Sequence, residues 1–251
     1  NILEWNGSTF IDLTSSEKMT NANMIGAGRE NLNLEDMDKN GILEMTLEGL
    51  PAQWYYPGEP LRIRIDTYFW NGSFFFPSTT FGAPQYRFQS IQDGDREAFN
   101  GNFEQANIFY VMAVKSKELD WWSQERFEND RTVAVSGTPS PDPPAAPAEY
   151  PSLAAYAYYR ILLLRLVQGQ EAEAASTYQA LQDTFGSDQY AAPYVEMATA
   201  FWEAYQSTQR MYDGCAAAIQ YAVEHPEILI PLGSDYHGWQ SHTYEPADVC
   251  P

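Results

Sequence analysis

The chain has 251 residues, of which 34 are acidic and 14 basic, and its formal net charge is −20. So few basic groups argue against nucleic acid as a partner, because phosphates would go unneutralised, and they disfavour an anionic membrane surface. No apolar run reaches the roughly 20 residues that span a bilayer, so we predict no membrane insertion, and the length suits one large or two modest domains.

Residues 1–83 are predicted to form an antiparallel β module, because aromatic and β-branched runs alternate there with turn residues. The sequence Trp-Asn-Gly-Ser occurs at 5–8 and again at 70–73. Asn-Gly between apolar runs is typical of a type I′ hairpin, so each copy predicts one hairpin. Further strands are expected around 42–48 and 61–69.

The segment 36–44 lies between these two copies and has the spacing of a calcium loop. Ca²⁺ takes roughly six to eight oxygen ligands and needs a sharp turn to gather them from one short segment. A glycine at position 6 of the segment can supply that turn. The predicted ligands are the side chains of Asp36, Asp38, Asn40 and Glu44 and the carbonyl of Ile42.

Two other structures are conceivable for these residues. A standard EF-hand is not expected, because position 12 is Leu47 where that loop needs a bidentate acid. A plain Asp/Asn/Gly turn without metal is the other alternative.

A loop with its acid at position 9, followed by a strand, resembles the calcium loops of FG-GAP/VCBS-type β-propeller repeats. The resemblance covers about residues 24–76 and implies one propeller-blade-like unit plus a partial one, braced by structural Ca²⁺. A propeller typically needs about four to eight blades, and 83 residues cannot close one. We therefore expect protein partners or missing upstream blades.

The segment Trp54-Tyr55-Tyr56 lies in a predicted loop before Pro57 and Gly58. Three adjacent aromatic side chains in a loop are the best candidate in this chain for a binding surface, with a glycan as a possible ligand.

From Pro84 onward the pattern becomes helical, and Gly-x4-Ala-x3-Tyr occurs twice, at 101–110 and 169–178. This pattern resembles the second helix of a tetratricopeptide repeat, in which a small residue lets two helices approach closely. The resemblance covers about residues 84–226 and implies helical hairpins that bind proteins. A third helix pair is expected at about 190–207 and 209–224.

The proline-rich segment 136–149 is predicted to interrupt these repeats, since proline is excluded from helix interiors. We interpret it as an insertion and not as a domain boundary, which places the helical module at 84–251 with a capping tail at its C-terminal end. The two cysteines, Cys215 and Cys250, are either free buried thiols or a disulfide that holds this tail. We favour the disulfide, since a calcium loop fits an extracellular setting, where disulfides persist.

The sequence contains none of the nucleophile-elbow, HExxH, P-loop or dinucleotide-binding motifs. His225, His237 and His242 do not form a recognisable metal motif. We therefore predict an α+β protein that is non-catalytic, extracellular or at the cell surface, and acts as a calcium-stabilised scaffold or subunit of an assembly. The alternatives are a glycan-binding module and a hydrolase with its site at the β/α junction.

Overall fold

The computed structural model describes residues 3–12, 25–26, 31–51, 60–137, 144–233 and 243–250. They fall into two compact units, a β unit in residues 1–56 and 61–83 and a helical unit in residues 57–60 and 84–251. Antiparallel strands make up the first unit and helices the second, which confirms the predicted α+β fold class.

The strands of the β unit pair into two antiparallel sheets, one of two strands and one of five. β1 pairs with β2, while β3, β5, β6 and β7 follow one another in the larger sheet and β4 also pairs with β5. The strand bounds are β1 Leu3–Trp5, β2 Phe10–Asp12, β3 Ile25–Gly26, β4 Leu32–Glu35, β5 Glu44–Pro51, β6 Arg64–Trp70 and β7 Phe75–Phe81.

The two Trp-Asn-Gly-Ser copies form hairpins with closely matching geometry. The rings of Trp5 and Phe10 lie 5.0 Å apart at 55°, and those of Trp70 and Phe75 lie 5.0 Å apart at 53°. In each copy these aromatic pairs are the last paired residues of the two strands. The internal repeat seen in the sequence is therefore also a structural repeat.

The turn type predicted for these hairpins is wrong. A type I′ turn needs positive φ at both central residues, and among the described non-glycine residues only Lys39 and Gln209 have positive φ. Four residues separate the paired aromatics, and the asparagine closes the loop with its side chain. Asn6 Oδ1 accepts the backbone amides of Ser8 and Thr9 at 3.0 and 2.9 Å. This Asx-type closure explains the asparagine without requiring a left-handed conformation at that residue; only the following glycine, Gly7 or Gly72, has positive φ.

The helical unit is built from helix pairs that pack side by side. α1 packs against α2, α4 against α5, and α6 against α7, while α4 also contacts α2 and α6. The helix bounds are α1 Arg87–Phe99, α2 Phe103–Lys115, α3 Gln124–Ser136, α4 Glu149–Val167, α5 Glu171–Phe185, α6 Ala192–Thr208 and α7 Met211–Glu224.

Glycines occur where two paired helices approach each other closely. A Cβ atom on Gly94 of α1 would lie 2.6 Å from Tyr110 of α2, and one on Gly214 of α7 would lie 2.8 Å from Phe201 of α6. Neither approach could accommodate a side chain without movement of the facing aromatic ring. Glycine at these two places therefore has a direct packing cause.

The three turns within the helix pairs share a left-handed residue. Gly101 and Gly169 have φ of 78° and 72°, and Gln209 takes the corresponding place with φ of 57°. Counted from Gln209, Gly214 falls at the position that Ala106 and Ala174 occupy in the first two pairs. The third pair therefore has the same spacing, with Gln209 where the first two pairs have glycine.

A helix that was not predicted, α3, lies between the first and second pairs. Trp122, just before this helix, is 3% exposed and packs near Phe88 and Phe127. α3 ends at Ser136 and α4 begins at Glu149, so the ends of the predicted proline-rich segment are helical. The residues 138–143 lie outside the described part of the chain.

The tail of the helical unit contains two 3₁₀ helices, Pro226–Leu232 and Pro246–Val249. Cys215 of α7 and Cys250 form a disulfide with a Cα–Cα distance of 5.4 Å. The pairing favoured from the sequence is therefore present, and it holds the second 3₁₀ helix near α7.

Candidate metal centre

The predicted calcium loop connects two paired strands of the β unit. β4 ends at Glu35, opposite Glu44 at the start of β5, so residues 36–43 form the connection. The connection turns sharply through left-handed residues, with φ of 61° at Lys39 and 88° at Gly41. Glycine at the second of these places avoids the steric penalty that a side chain would meet there.

Backbone amides hold the first two acids of the loop in position. Asp36 accepts the amides of Asn40 at 2.9 Å and Gly41 at 3.0 Å, one on each carboxylate oxygen. Asp38 Oδ1 also accepts the Asn40 amide, at 3.1 Å. The carboxylates of Asp36 and Asp38 are thereby directed to the same side of the loop.

Glu44 is the unusual residue of this loop, because its side chain is buried and only half of its carboxylate is satisfied. The residue is 1% exposed. Its Oε2 atom accepts the Met37 amide at 2.7 Å, whereas Oε1 is buried without any hydrogen-bond partner. An unpaired buried carboxylate oxygen carries a desolvation cost of the order of 1–3 kcal/mol or more.

The structure brings Asp36, Asp38 and Glu44 together, with one oxygen of each within 4.8 Å of the others. Among the described residues, no lysine or arginine forms an ion pair with any of the three. Like charges so close repel one another, most strongly where water is excluded. The oxygen-only donor set and the unpaired Glu44 oxygen fit a hard divalent cation such as Ca²⁺.

The remaining predicted ligands of the loop engage one another. Asn40 Nδ2 donates to Asp38 Oδ2 at 2.8 Å, and Asn40 Oδ1 accepts the Ile42 amide at 2.7 Å. Coordination by the Asn40 side chain and by the Ile42 carbonyl stays a prediction. The proposed binding surface at 54–56 and the tail residues His237 and His242 lie outside the described residues.

Sequence reasoning missed a second polar cluster, which lies inside the helical unit around Arg160. Arg160 is 3% exposed, and its Nε atom lies 2.9 Å from Asp95 Oδ1. Asp95 also accepts the hydroxyls of Tyr110, at 2.6 Å, and Tyr244. Burial, and after it the Asp95 carboxylate, raises the pKa of Tyr244 well above its usual value, so this hydroxyl stays protonated and donates.

The backbone of the tail completes the cluster. Arg160 Nη1 donates to the carbonyls of Asp248 and Val249, at 3.3 and 3.0 Å. The one signal in the sequence is the position of Arg160 between apolar residues of α4, which indicates a buried charge but does not identify its partners.

A further buried charge pair lies where α1 and α4 begin. Glu149 Oε2 lies 3.5 Å from Arg87 Nε, and both side chains are at most 10% exposed. Burial raises the pKa of the Glu149 carboxyl to about 7, against the opposing effect of Arg87. This carboxyl therefore titrates near neutral pH.

Comparison of the chain with protein-family models, with curated proteins and with solved structures found no match. The resemblances to FG-GAP/VCBS-type and tetratricopeptide repeats therefore stay predictions based on the residues themselves. In the described part of the chain, the helices are all too short or too polar to cross a membrane.

Proposed function

We propose that this protein is a calcium-stabilised, non-catalytic scaffold or subunit that works outside the cell or at its surface. The observation that carries the calcium part is the buried Glu44 carboxylate, whose Oε1 atom is unpartnered beside two further carboxylates. The scaffold part rests on the stacked helix pairs, since helical repeats commonly present extended surfaces to partner proteins.

Backbone amides of the loop preorganise the proposed metal site. Amides of residues 37, 40 and 41 hold Asp36 and Glu44 in place before any cation arrives. Bound Ca²⁺ would neutralise the three carboxylates and complete the coordination of Glu44 Oε1. Because the loop joins β4 to β5, cation binding would tie the edge strand to the rest of the larger sheet.

The proposed location is supported by the disulfide between Cys215 and Cys250. Disulfides persist in oxidising compartments and are rare in the cytosol. Extracellular calcium modules bind their ion with dissociation constants of about 10⁻⁴ to 10⁻³ M, which suits a loop with three carboxylates.

Calcium titration of the full chain by isothermal calorimetry tests this proposal, with Glu44→Gln as the decisive variant. We expect one Ca²⁺ per chain, and at least about tenfold weaker binding in the variant, because the amide removes one charge and one buried oxygen ligand. Melting of the wild-type chain should also shift upward with Ca²⁺ and return with EDTA.

Glu48→Gln is the matched control, since Glu48 lies on the same strand with an exposed side chain. This variant should bind Ca²⁺ as the wild type does. Equal affinity in Glu44→Gln, or no calcium binding by the wild type, would contradict the proposal.

The two alternative functions receive no support from the described residues. The glycan-binding alternative depends on residues 54–56, which lie outside them, and so stays a prediction. The hydrolase alternative also stays a prediction.

A further inference from the structure

A pocket of about 240 Å³ opens at one end of the helical unit. Residues at the end of α1, the start of α2, the end of α4 and the start of α7 line it, together with Cys250 of the disulfide. The tail that the disulfide holds thus supplies part of the pocket wall.

The pocket wall is apolar and its rim is exposed. Phe103, Leu163 and Met211 belong to the lining, as do two residues that reach solvent. Phe99 is 81% exposed and Val167 is 54% exposed. Exposed apolar side chains beside a concave apolar wall are typical of a ligand site.

Arg160 is the one charged residue among those that line the pocket. Its Nε and Nη1 atoms are engaged with Asp95, Tyr110 and the tail carbonyls. Its Nη2 atom has no hydrogen-bond partner among the described residues. This atom is not fully buried. Two N–H donors of a fixed guanidinium are therefore left for a ligand.

We propose that this pocket binds a compact apolar carboxylic acid, with its ring or short acyl chain against the apolar wall and its carboxylate on Arg160 Nη2. The size is adequate, because an apolar cavity of about 150 Å³ already holds benzene. A guanidinium recognises carboxylates better than neutral acceptors, through charge-assisted hydrogen bonds.

The arrangement of the cluster favours an anion at this place. Asp95 is already engaged by the Arg160 guanidinium and by two tyrosine hydroxyls. Its negative charge is thus shared among these donors, and the Nη2 group of Arg160 remains available. The bonds from Nη1 to the tail carbonyls hold the guanidinium in place, so a ligand would meet it in a fixed orientation.

Phenylacetate and its neutral analogue phenylacetamide are suitable probes, measured on the full chain by saturation-transfer NMR and calorimetry. For about ten heavy atoms we expect phenylacetate to bind with a dissociation constant of about 1 mM or tighter. Phenylacetamide, which has the same shape, should bind at least about fivefold more weakly because it lacks the charge.

Val167→Trp should fill the mouth of the pocket and weaken phenylacetate binding at least about tenfold. Val135→Trp is the matched control, since Val135 is 82% exposed on α3 and does not line the pocket. Met211→Trp provides a second blocking variant if Val167→Trp does not melt cooperatively.

Three results would overturn the proposal: no binding of phenylacetate at about ten times the expected constant, equal binding of the amide, or unchanged binding in a folded blocking variant. None of them depends on calcium, so the outcome is independent of the metal site in the β unit.

Discussion

The acidic loop of the β unit and the Arg160 cluster of the helical unit treat buried charge in opposite ways. In the β unit, Glu44 is buried with one oxygen unpaired beside two further acids, and the chain brings no basic side chain to it within the described residues. In the helical unit, Arg160 is also buried, but its charge is compensated by a carboxylate, and its Nε and Nη1 atoms bond to that carboxylate, a tyrosine and two backbone carbonyls.

This difference shows what each site depends on for its stability. A buried charge that the chain compensates itself fixes an internal arrangement, whereas one that it leaves uncompensated depends on something added from solution. The β unit is therefore expected to respond to cations, and the core of the helical unit to be indifferent to them.

The largest effect should come from Asp95→Asn, because it leaves a buried charge in the helical core uncompensated, as in the acidic loop. The substitution keeps the shape of the side chain but removes the charge opposite Arg160. We expect a loss of about 3 kcal/mol in the free energy of unfolding, because a buried arginine is left without its counter-charge. Urea unfolding monitored by circular dichroism measures this change.

Asp213→Asn is the control for this prediction, since it breaks an ion pair whose arginine, Arg210, is 68% exposed. Exposed pairs contribute about 0–1 kcal/mol. Similar losses in the two variants would mean that the Arg160 cluster is no different from a surface pair.

An effect of similar size concerns Glu149, a buried acid that does have a partner in Arg87. Its pKa of about 7, against 4.5 for the ordinary side chain, means that the folded chain binds this proton more tightly than the unfolded chain. The contribution of this carboxyl to stability is then fully present below about pH 4.5 and is lost as the pH rises through about 7, by up to about 3 kcal/mol.

Glu149→Gln should remove this contribution and flatten the pH dependence of unfolding across that window. Urea unfolding at pH 5 and pH 8 provides the comparison, with Glu125→Gln, an exposed first-turn acid of α3, as control. A variant that retains the full wild-type slope would show that the slope arises elsewhere.

The smallest effect concerns Gln209, whose backbone has a left-handed conformation with φ of 57°. Gln209→Gly should raise the free energy of unfolding by about 0.5–1 kcal/mol, because glycine adopts this conformation without steric penalty. Thermal unfolding measures the gain. Gln168→Gly is the control, since Gln168 has φ of −83°, and it should give no gain; a decrease in Gln209→Gly would contradict this account.

Local patterns in the sequence predicted much of this structure. The α+β class and the helix pairs followed from periodicity and from small residues such as Ala106, which is fully buried. The acidic loop was predicted because all of its candidate ligands lie within nine residues.

Features that depend on distant residues could not be predicted. Arg160 bonds to residues 50 and 89 positions away, and no local pattern specifies such partners. The burial of Glu44 was missed for the same reason, since spacing identifies a candidate ligand but not its exposure. The turn type at Asn6 and Asn71 was wrong because the asparagine side chain competes with the backbone geometry that Asn-Gly usually indicates.

The hydrogen bond between Tyr244 and Asp95 spans 149 residues, which has a consequence for synthesis of the chain. Helices α1 to α7 can leave the ribosome and begin to pair long before Tyr244 and the carbonyls near Val249 are made. Contacts of such long separation form late and slow the approach to the native state. Until then the Arg160 guanidinium lacks several of its partners, so the nascent helical unit is expected to stay loosely packed until its last segment docks.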